Sequence, residues 1–199
     1  MKTLLLFLLS SCSLFAQLNI SNPFYVAPIL KASGVTCSTA NDSELVNHLS
    51  GSSVAGISTT SWGAQQFTIS AGATITGVFI RLADTGSDVG NVVVSLYQNN
   101  GANDKPSTEI ANTTVTIAMT SISASEANVF FELPQTFSAG AGTKYHIVFR
   151  CSASGTANVY YDSSVLYADG KICNSTDTGA TWSTPGTSAD YHFSIWGCP

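Results

Sequence analysis

The sequence predicts an all-β, jelly-roll-like β-sandwich of one domain. Runs rich in β-branched and aromatic residues alternate with period two at 74–83, 91–98 and 144–151. Clusters of Gly, Ser, Asn and Asp separate these runs, which is typical of turns between antiparallel strands. Further strands are expected at 66–69, 110–117, 128–133, 158–162 and 191–196.

Alternation also predicts which side chains face the core. The expected inner-facing sets are Val92, Val94 and Leu96, then Tyr145, Ile147 and Phe149, then Tyr191, Phe193 and Ile195. Residues 62–199 form the predicted sandwich domain, preceded by a lead segment over 17–61. Within this lead, we expect residues 43–49 to form a short helix and the Ser/Gly/Thr-rich residues 50–60 to form a loop.

The first 16 residues have the pattern of a secretory signal peptide. Lys2 precedes the apolar run 4–9, and small residues lead to a cleavage site after Ala16. The run is too short to span a bilayer, and no later segment resembles a transmembrane span. An alternative is a lipobox over 9–12, which would leave Cys12 lipidated. We therefore expect a secreted or extracellular protein, with a lipoprotein anchored through Cys12 as the alternative.

The charge balance excludes one class of partner. Seven Lys and Arg stand against 12 Asp and Glu, and the net charge is −5. Phosphate recognition needs clustered positive charge, so nucleic-acid binding is not expected.

Four cysteines remain after the signal peptide, namely Cys37, Cys151, Cys173 and Cys198. An even number in an exported chain predicts two disulfides, for which three connectivities exist. We expect Cys151–Cys173 to join neighbouring strands and Cys37–Cys198 to tie the lead segment to the C-terminus. The chain has three histidines and no C-x-x-C pair, so no zinc site is predicted.

Several short segments carry a family resemblance. They are AQQF at 64–67, ITGV at 75–78, GNVVVSLY at 90–97, FSAG at 137–140, TKYHIV at 143–148, YD at 161–162 and ADG at 168–170. Together they resemble the choice-of-anchor jelly-roll domains of exported bacterial proteins and some phage fibre proteins, over residues 62–197. The resemblance implies an accessory module of a surface protein, and it brings no catalytic residues with it.

One further motif is not among the segments that carry the resemblance. Residues 175–182 match the Asp-box pattern S-x-D-x-G-x-x-W through Ser175, Asp177, Gly179 and Trp182. Its physics is that of a hairpin: the Asp accepts backbone N–H groups, the Gly takes a positive φ and the Trp packs beneath. A single copy predicts a structural hairpin rather than an active site.

Loop carboxylates raise the question of a metal. Asp84 with Asp88, and Asp162 with Asp169, are the first candidates for a weak structural calcium site, because calcium prefers loop carboxylates and carbonyls. No D-x-D-x-D-G loop is present, and turn chemistry explains these residues equally well. No other cofactor is expected.

Aromatic residues are the candidate ligand-binding groups. Sugar rings stack on exposed aromatic faces because their C–H faces are apolar, while nearby polar side chains fix the hydroxyls. The candidate set is Trp62, Tyr97, Tyr161, His192 and Trp196. The alternative is that these rings belong to the core or to hairpin packing.

The predicted function is a non-enzymatic, secreted binding or attachment module, with carbohydrate binding and adhesion at a cell surface as its leading form. Its partners would be surface glycans or other extracellular proteins, and the oligomeric state stays open. A structural component of a fibre, capsid decoration or envelope assembly is the main alternative. A glycan hydrolase is the third hypothesis, and it lacks a facing pair of carboxylates.

Overall fold

Two curled antiparallel sheets form a sandwich in the computed structural model, which describes residues 42–49, 51–86, 89–164 and 167–199. This confirms the predicted all-β sandwich. Within those ranges there is no α-helix, and a single 3-10 turn covers Met119–Ser121. In each sheet, the order of the strands is set by which strands pair with one another.

Seven strands of the described residues form the first sheet. They are β1 (Ser43–His48), β2 (Ser53–Ile57), β4 (Ala73–Asp84), β8 (Ala127–Ala139), β10 (Ala157–Asp162), β12 (Asp190–Tyr191) and β13 (Phe193–Cys198). Six strands form the second sheet. They are β3 (Trp62–Thr68), β5 (Asn91–Asn100), β6 (Lys105–Glu109), β7 (Val115–Ala118), β9 (Lys144–Cys151) and β11 (Ile172–Ser175).

The core lies between the sheets and contains the predicted inner faces. In the six-stranded sheet, Val94 pairs with Phe149 and Leu96 with Ile147, and all four side chains are completely buried. Alternation then turns every second residue of β3, β5 and β9 to the outer face of this sheet. That outer face carries the polar and aromatic groups considered below.

Strand β4 lies at the centre of the seven-stranded sheet. Two different strands pair with it along one of its edges. It pairs with β13 from Thr74 to Ile80 and with β10 from Leu82 to Asp84. His192 separates β12 from β13 at this fork. Its N–H donates to the carbonyl of Tyr160 at 2.9 Å, and its own carbonyl accepts from the N–H of Arg81 at 3.2 Å.

Two local expectations for the lead segment are wrong. The segment expected to be a short helix is strand β1, and the expected loop contains strand β2. In β1, Val46 pairs with Ile195 and packs against the core, so tertiary pairing overrides a weak local preference. Strand β2 pairs with β10 along its whole length.

The expected Cys151–Cys173 disulfide is not formed, because both residues are buried free thiols. Cys173 lies opposite Ala64, and Ala64 lies opposite Val148, so β3 separates the two cysteine strands. Cys151 is three residues beyond Val148 and therefore faces the core, away from Cys173. A disulfide needs Cβ atoms about 4 Å apart on facing sides. Cys37 lies outside the described residues, so the Cys37–Cys198 pair stays a prediction.

Candidate functional site

Three aromatic side chains gather on the outer face of the six-stranded sheet. Trp62 begins β3, Tyr97 lies in β5 and Trp182 follows β11, and all three are half-buried. Their common floor consists of three completely buried residues, Ala64, Val148 and Cys173. We call Trp62, Tyr97 and Trp182 the aromatic patch.

The Asp-box hairpin brings Trp182 to the patch. The Asp177 carboxylate accepts from the N–H of Thr181 at 2.8 Å, and the Ser175 hydroxyl accepts from the N–H of Gly179 at 2.9 Å. Gly179 has a φ of 83°, which an L side chain rarely adopts. These bonds fold the hairpin back over the sheet, so Trp182 packs on the floor rather than pointing away.

The Trp62 ring is largely occupied by contacts with neighbouring groups. Its indole N–H donates to the carbonyl of Thr59 at 2.8 Å. The guanidinium carbon of Arg150 lies 4.7 Å from the ring centroid, which is a cation–π contact. A Cβ added at Gly179 would lie 2.5 Å from the ring, so the hairpin backbone also contacts it. Tyr97 and Trp182 therefore have the more available faces of the patch.

A chain of hydrogen bonds crosses the face beside the aromatic patch. Arg150 donates to the Ser95 hydroxyl at 3.4 Å, and this hydroxyl lies 3.0 Å from the hydroxyl of Thr114. The Thr114 hydroxyl donates to Glu109, and the Tyr97 hydroxyl donates to the same carboxylate at 3.1 Å. We call Arg150, Ser95, Thr114 and Glu109 the polar chain. It joins a cation, two hydroxyls and an anion in sequence, and the Ser95 hydroxyl within it is completely buried.

The charges of the polar chain are not directly paired. Among the described residues no carboxylate lies within ion-pair distance of Arg150, whereas Arg81 on the other sheet pairs with Glu126. Burial raises the pKa of Tyr97, and the neighbouring charge of Glu109 raises it further. The Tyr97 hydroxyl therefore stays protonated at neutral pH and remains a donor.

A second polar group on the same face anchors the loop after β5. Asp104 accepts from the Lys144 ammonium at 3.0 Å and from the Lys171 ammonium at 2.6 Å. These hydrogen bonds hold the pKa of Asp104 well below its ordinary value. The Asn99 amide also reaches Asp104 at 3.4 Å, so one carboxylate joins side chains from separate parts of the chain.

His146 lies beneath this group as a neutral imidazole. Its Nε2 is 2.8 Å from Asn99 Oδ1, which also accepts from Gln66. Since that oxygen is an acceptor, Nε2 carries the proton. Burial lowers the pKa of His146 to about 3, and the opposing attraction of Asp104 is weaker. This arrangement is a structural support for the face, not a proton donor at neutral pH.

The five candidate ligand residues do not form one site. Trp62 and Tyr97 meet in the aromatic patch. Trp196 belongs to the seven-stranded sheet, where its ring lies 5.7 Å from Phe79. Tyr161 packs towards the core, 6.1 Å from Tyr191. His192 is completely buried at the fork between β12 and β13.

The calcium candidates are not brought into a metal site by the described residues. Asp84 is buried at the end of β4, and Asp88 lies outside the described residues. In the part of the chain that the structure covers, no three His, Cys, Asp or Glu side chains are grouped to hold a metal ion. Calcium at Asp84 and Asp88 remains a prediction.

Arg150, Ser95, Thr114 and Glu109 were not among the predicted site residues. The sequence contains one signal for them, since alternation places Ser95 on the same face as Tyr97. Bringing Arg150 and Thr114 beside Ser95 requires the register of β9 and β7 against β5, which no local pattern encodes.

Comparisons with known proteins add little to this geometry. No protein-family model matches the sequence, and no curated protein matches it. One similar solved structure is described as "Structure of a family two carbohydrate esterase from Cellvibrio japonicus". The similarity has a TM-score of 0.27 and 8% identity, and it covers 82% of this chain and 34% of that chain. This chain thus spans about a third of that protein's length, and a likeness this weak carries no argument.

A search of the described residues for membrane-crossing helices finds none of sufficient length and apolarity.

Proposed function

We propose that this chain is an extracellular, non-enzymatic module that binds glycans at the aromatic patch and the polar chain. The observation that carries the proposal is the meeting of half-buried rings with a line of hydroxyl and charged groups on one face. Tyr97 belongs to both sets, because its ring lines the patch and its hydroxyl bonds Glu109.

The chemistry of the face suits polyhydroxylated ligands. Aromatic rings have apolar faces of the right size for sugar C–H groups, and Tyr and Trp also carry a polar edge. The half-buried Thr114 hydroxyl both donates and accepts hydrogen bonds, so it can exchange partners with sugar hydroxyls, while the completely buried Ser95 hydroxyl links Thr114 to Arg150. Arg150 adds a planar set of donors, and no carboxylate in the described ranges lies within ion-pair distance of it.

The same face is poorly suited to glycoside hydrolysis. A glycosidase of the common type needs two carboxyl groups on either side of the scissile bond. Within the polar chain Glu109 is the single carboxylate, and two hydroxyl donors already hold it. The proposal is therefore binding without turnover.

The extracellular location rests on the predicted signal peptide, and attachment to a surface follows the resemblance to choice-of-anchor domains. A lipid on Cys12 would place the same binding face at a membrane surface. The mature mass of the exported protein distinguishes these two forms.

The test is a glycan array with the mature protein, followed by calorimetry on the best ligand. Trp182→Ala and Tyr97→Ala are expected to weaken binding about tenfold or more, since about 1.4 kcal/mol corresponds to tenfold. Trp196→Ala on the other sheet is the matched control and should bind as the unchanged protein does. Concentration-dependent assembly without glycan binding would instead favour the structural-component hypothesis, and turnover of a glycoside panel would favour a hydrolase.

A further inference from the structure

Two histidines face each other at the fork of the seven-stranded sheet, away from the proposed glycan surface. His48 ends β1, and His192 separates β12 from β13. Their ring centroids are 5.8 Å apart, and the ring planes are inclined at 80°. His192 is 0% exposed and His48 is 6% exposed.

Within the described parts of the chain, three nitrogens of this pair are buried without a hydrogen-bond partner. They are Nε2 of His48 and both ring nitrogens of His192. A buried polar atom without a partner is rare in a folded protein, and an ordered water or a bound ion is the usual explanation. An imidazole that lacks both partners is more unusual still, because its N–H and its lone pair are both left unsatisfied.

From this pair we propose that His48 and His192 together bind a borderline transition-metal ion of the Zn²⁺, Ni²⁺ or Cu²⁺ class. Imidazole nitrogen is a preferred ligand for these ions. Metal–nitrogen bonds of about 2.0–2.1 Å place each ring centroid roughly 3.2 Å from the ion. Two imidazoles on one ion then have centroids between about 5.2 Å at a tetrahedral angle and 6.4 Å when linear. The observed separation falls inside this range.

Charges of both signs act on the His192 ring. The positive charge is that of Arg81, which forms an ion pair with Glu126. Asp162 adds a negative charge that acts on the same ring. Two protein ligands leave the other coordination positions to water.

Such an ion would connect β1 to the fork, where β4 changes partner from β13 to β10. Among the described strands, β1 pairs with β13 alone. A metal held by His48 and His192 therefore fastens the described end of the predicted lead segment to the fork.

The experiment uses the purified chain, freed of metal by a chelator and titrated with Zn²⁺, Ni²⁺ and Cu²⁺ in separate calorimetric runs. One equivalent of at least one ion is expected to bind. His48→Gln and His192→Gln should each weaken that binding at least tenfold. His146→Gln is the matched control, since His146 is the third histidine and lies on the other sheet.

Electron paramagnetic resonance of the unchanged protein with Cu²⁺ gives a second readout that needs no variant. Coupling to two imidazole nitrogens is expected. The proposal is overturned if no ion binds stoichiometrically, if both glutamine variants bind as tightly as the control, or if the spectrum lacks nitrogen coupling. In those outcomes an internal water satisfies the ring nitrogens.

Discussion

Arg150 and Arg81 show how one residue type takes two roles on opposite faces of the sandwich. Each guanidinium lies over an aromatic ring, Arg150 over Trp62 at 4.7 Å and Arg81 over Tyr160 at 5.6 Å. Arg81 also forms an ion pair with Glu126. Besides its contact with Trp62, Arg150 has a long hydrogen bond to the Ser95 hydroxyl, and no carboxylate of the described residues forms an ion pair with it, so it can still bind an anion.

This difference predicts a preference for carboxylated sugars. Arg150→Gln should weaken binding of uronic-acid glycans about tenfold, because a charge-assisted hydrogen bond is lost, while binding of neutral glycans changes little. Arg81→Gln is the matched control and should leave both affinities unchanged. Calorimetry on one acidic and one neutral glycan measures this. Equal effects of the two variants would exclude Arg150 as the source of a charge preference.

His146 makes stability depend on pH. Its pKa is lowered in the folded protein to about 3 by burial, compared with about 6.5 when unfolded. The unfolded chain therefore binds more protons than the folded protein between these values. The neutral ring's contribution is fully present above pH 6.5 and is lost as the pH falls towards 3.

From pH 7 to pH 5, His146 alone should lower the free energy of unfolding by about 2 kcal/mol. His146→Gln should remove that part of the pH dependence, although its stability at pH 7 is lower because a buried contact changes. Urea unfolding of both proteins at the two pH values measures the difference. Parallel pH profiles would show that His146 does not titrate in this way.

At the scale of elements, the Asp-box hairpin determines the shape of the candidate site. Gly179 has a φ of 83°, and an added Cβ would meet the Trp62 ring at 2.5 Å. Gly86 has the same φ of 83° in open space, with no heavy atom within 4 Å of an added Cβ. Alanine substitutions at Gly86 and Gly179 therefore distinguish the cost of the left-handed backbone from the cost of contact with Trp62.

Gly86→Ala should lower the free energy of unfolding by about 1–2 kcal/mol, the cost of a left-handed residue. Gly179→Ala should cost more, because the hairpin must also move away from Trp62, and it should weaken glycan binding through the displaced Trp182. Thermal unfolding and calorimetry provide both numbers. If Gly179→Ala matches Gly86→Ala in stability and binding, the hairpin does not shape the site.

Strands with strong alternation of polar and apolar residues could be predicted from the sequence. Strands that are extended only because a neighbouring strand pairs with them could not. The runs that became β4, β5 and β9 have clear inner and outer faces in the sequence. Strands β1 and β2 have no such pattern and are extended because β13 and β10 lie beside them. For the same reason the polar chain was missed, since its four members come from four different strands or loops.

At the scale of the whole molecule, the position of each cysteine follows from the two-layer architecture. Cys151 lies in the core between the sheets and Cys173 under the aromatic patch on the outer face. The sequence correctly placed Cys151 in a strand, but counting cysteines could not reveal that β3 separates it from Cys173.

Both thiols should be inert in the folded protein. Burial raises the pKa of Cys151 and of Cys173 to about 11, and a buried protonated thiol is a poor nucleophile. A colorimetric thiol assay should find neither thiol reactive without denaturant and both reactive after unfolding. If the unfolded, unreduced mature chain releases no thiol, a Cys151–Cys173 disulfide exists and the register of β11 is different.

The most direct measurement for the central claim is the affinity of the mature protein for its best glycan, compared between Trp182→Ala and Trp196→Ala. Both variants remove one tryptophan, but only Trp182 contacts the floor of the aromatic patch. We predict a loss of about tenfold or more for Trp182→Ala and no change for Trp196→Ala. The opposite pattern would move the site to the seven-stranded sheet. If both variants bind as tightly as the unchanged protein, neither tryptophan is part of the binding site.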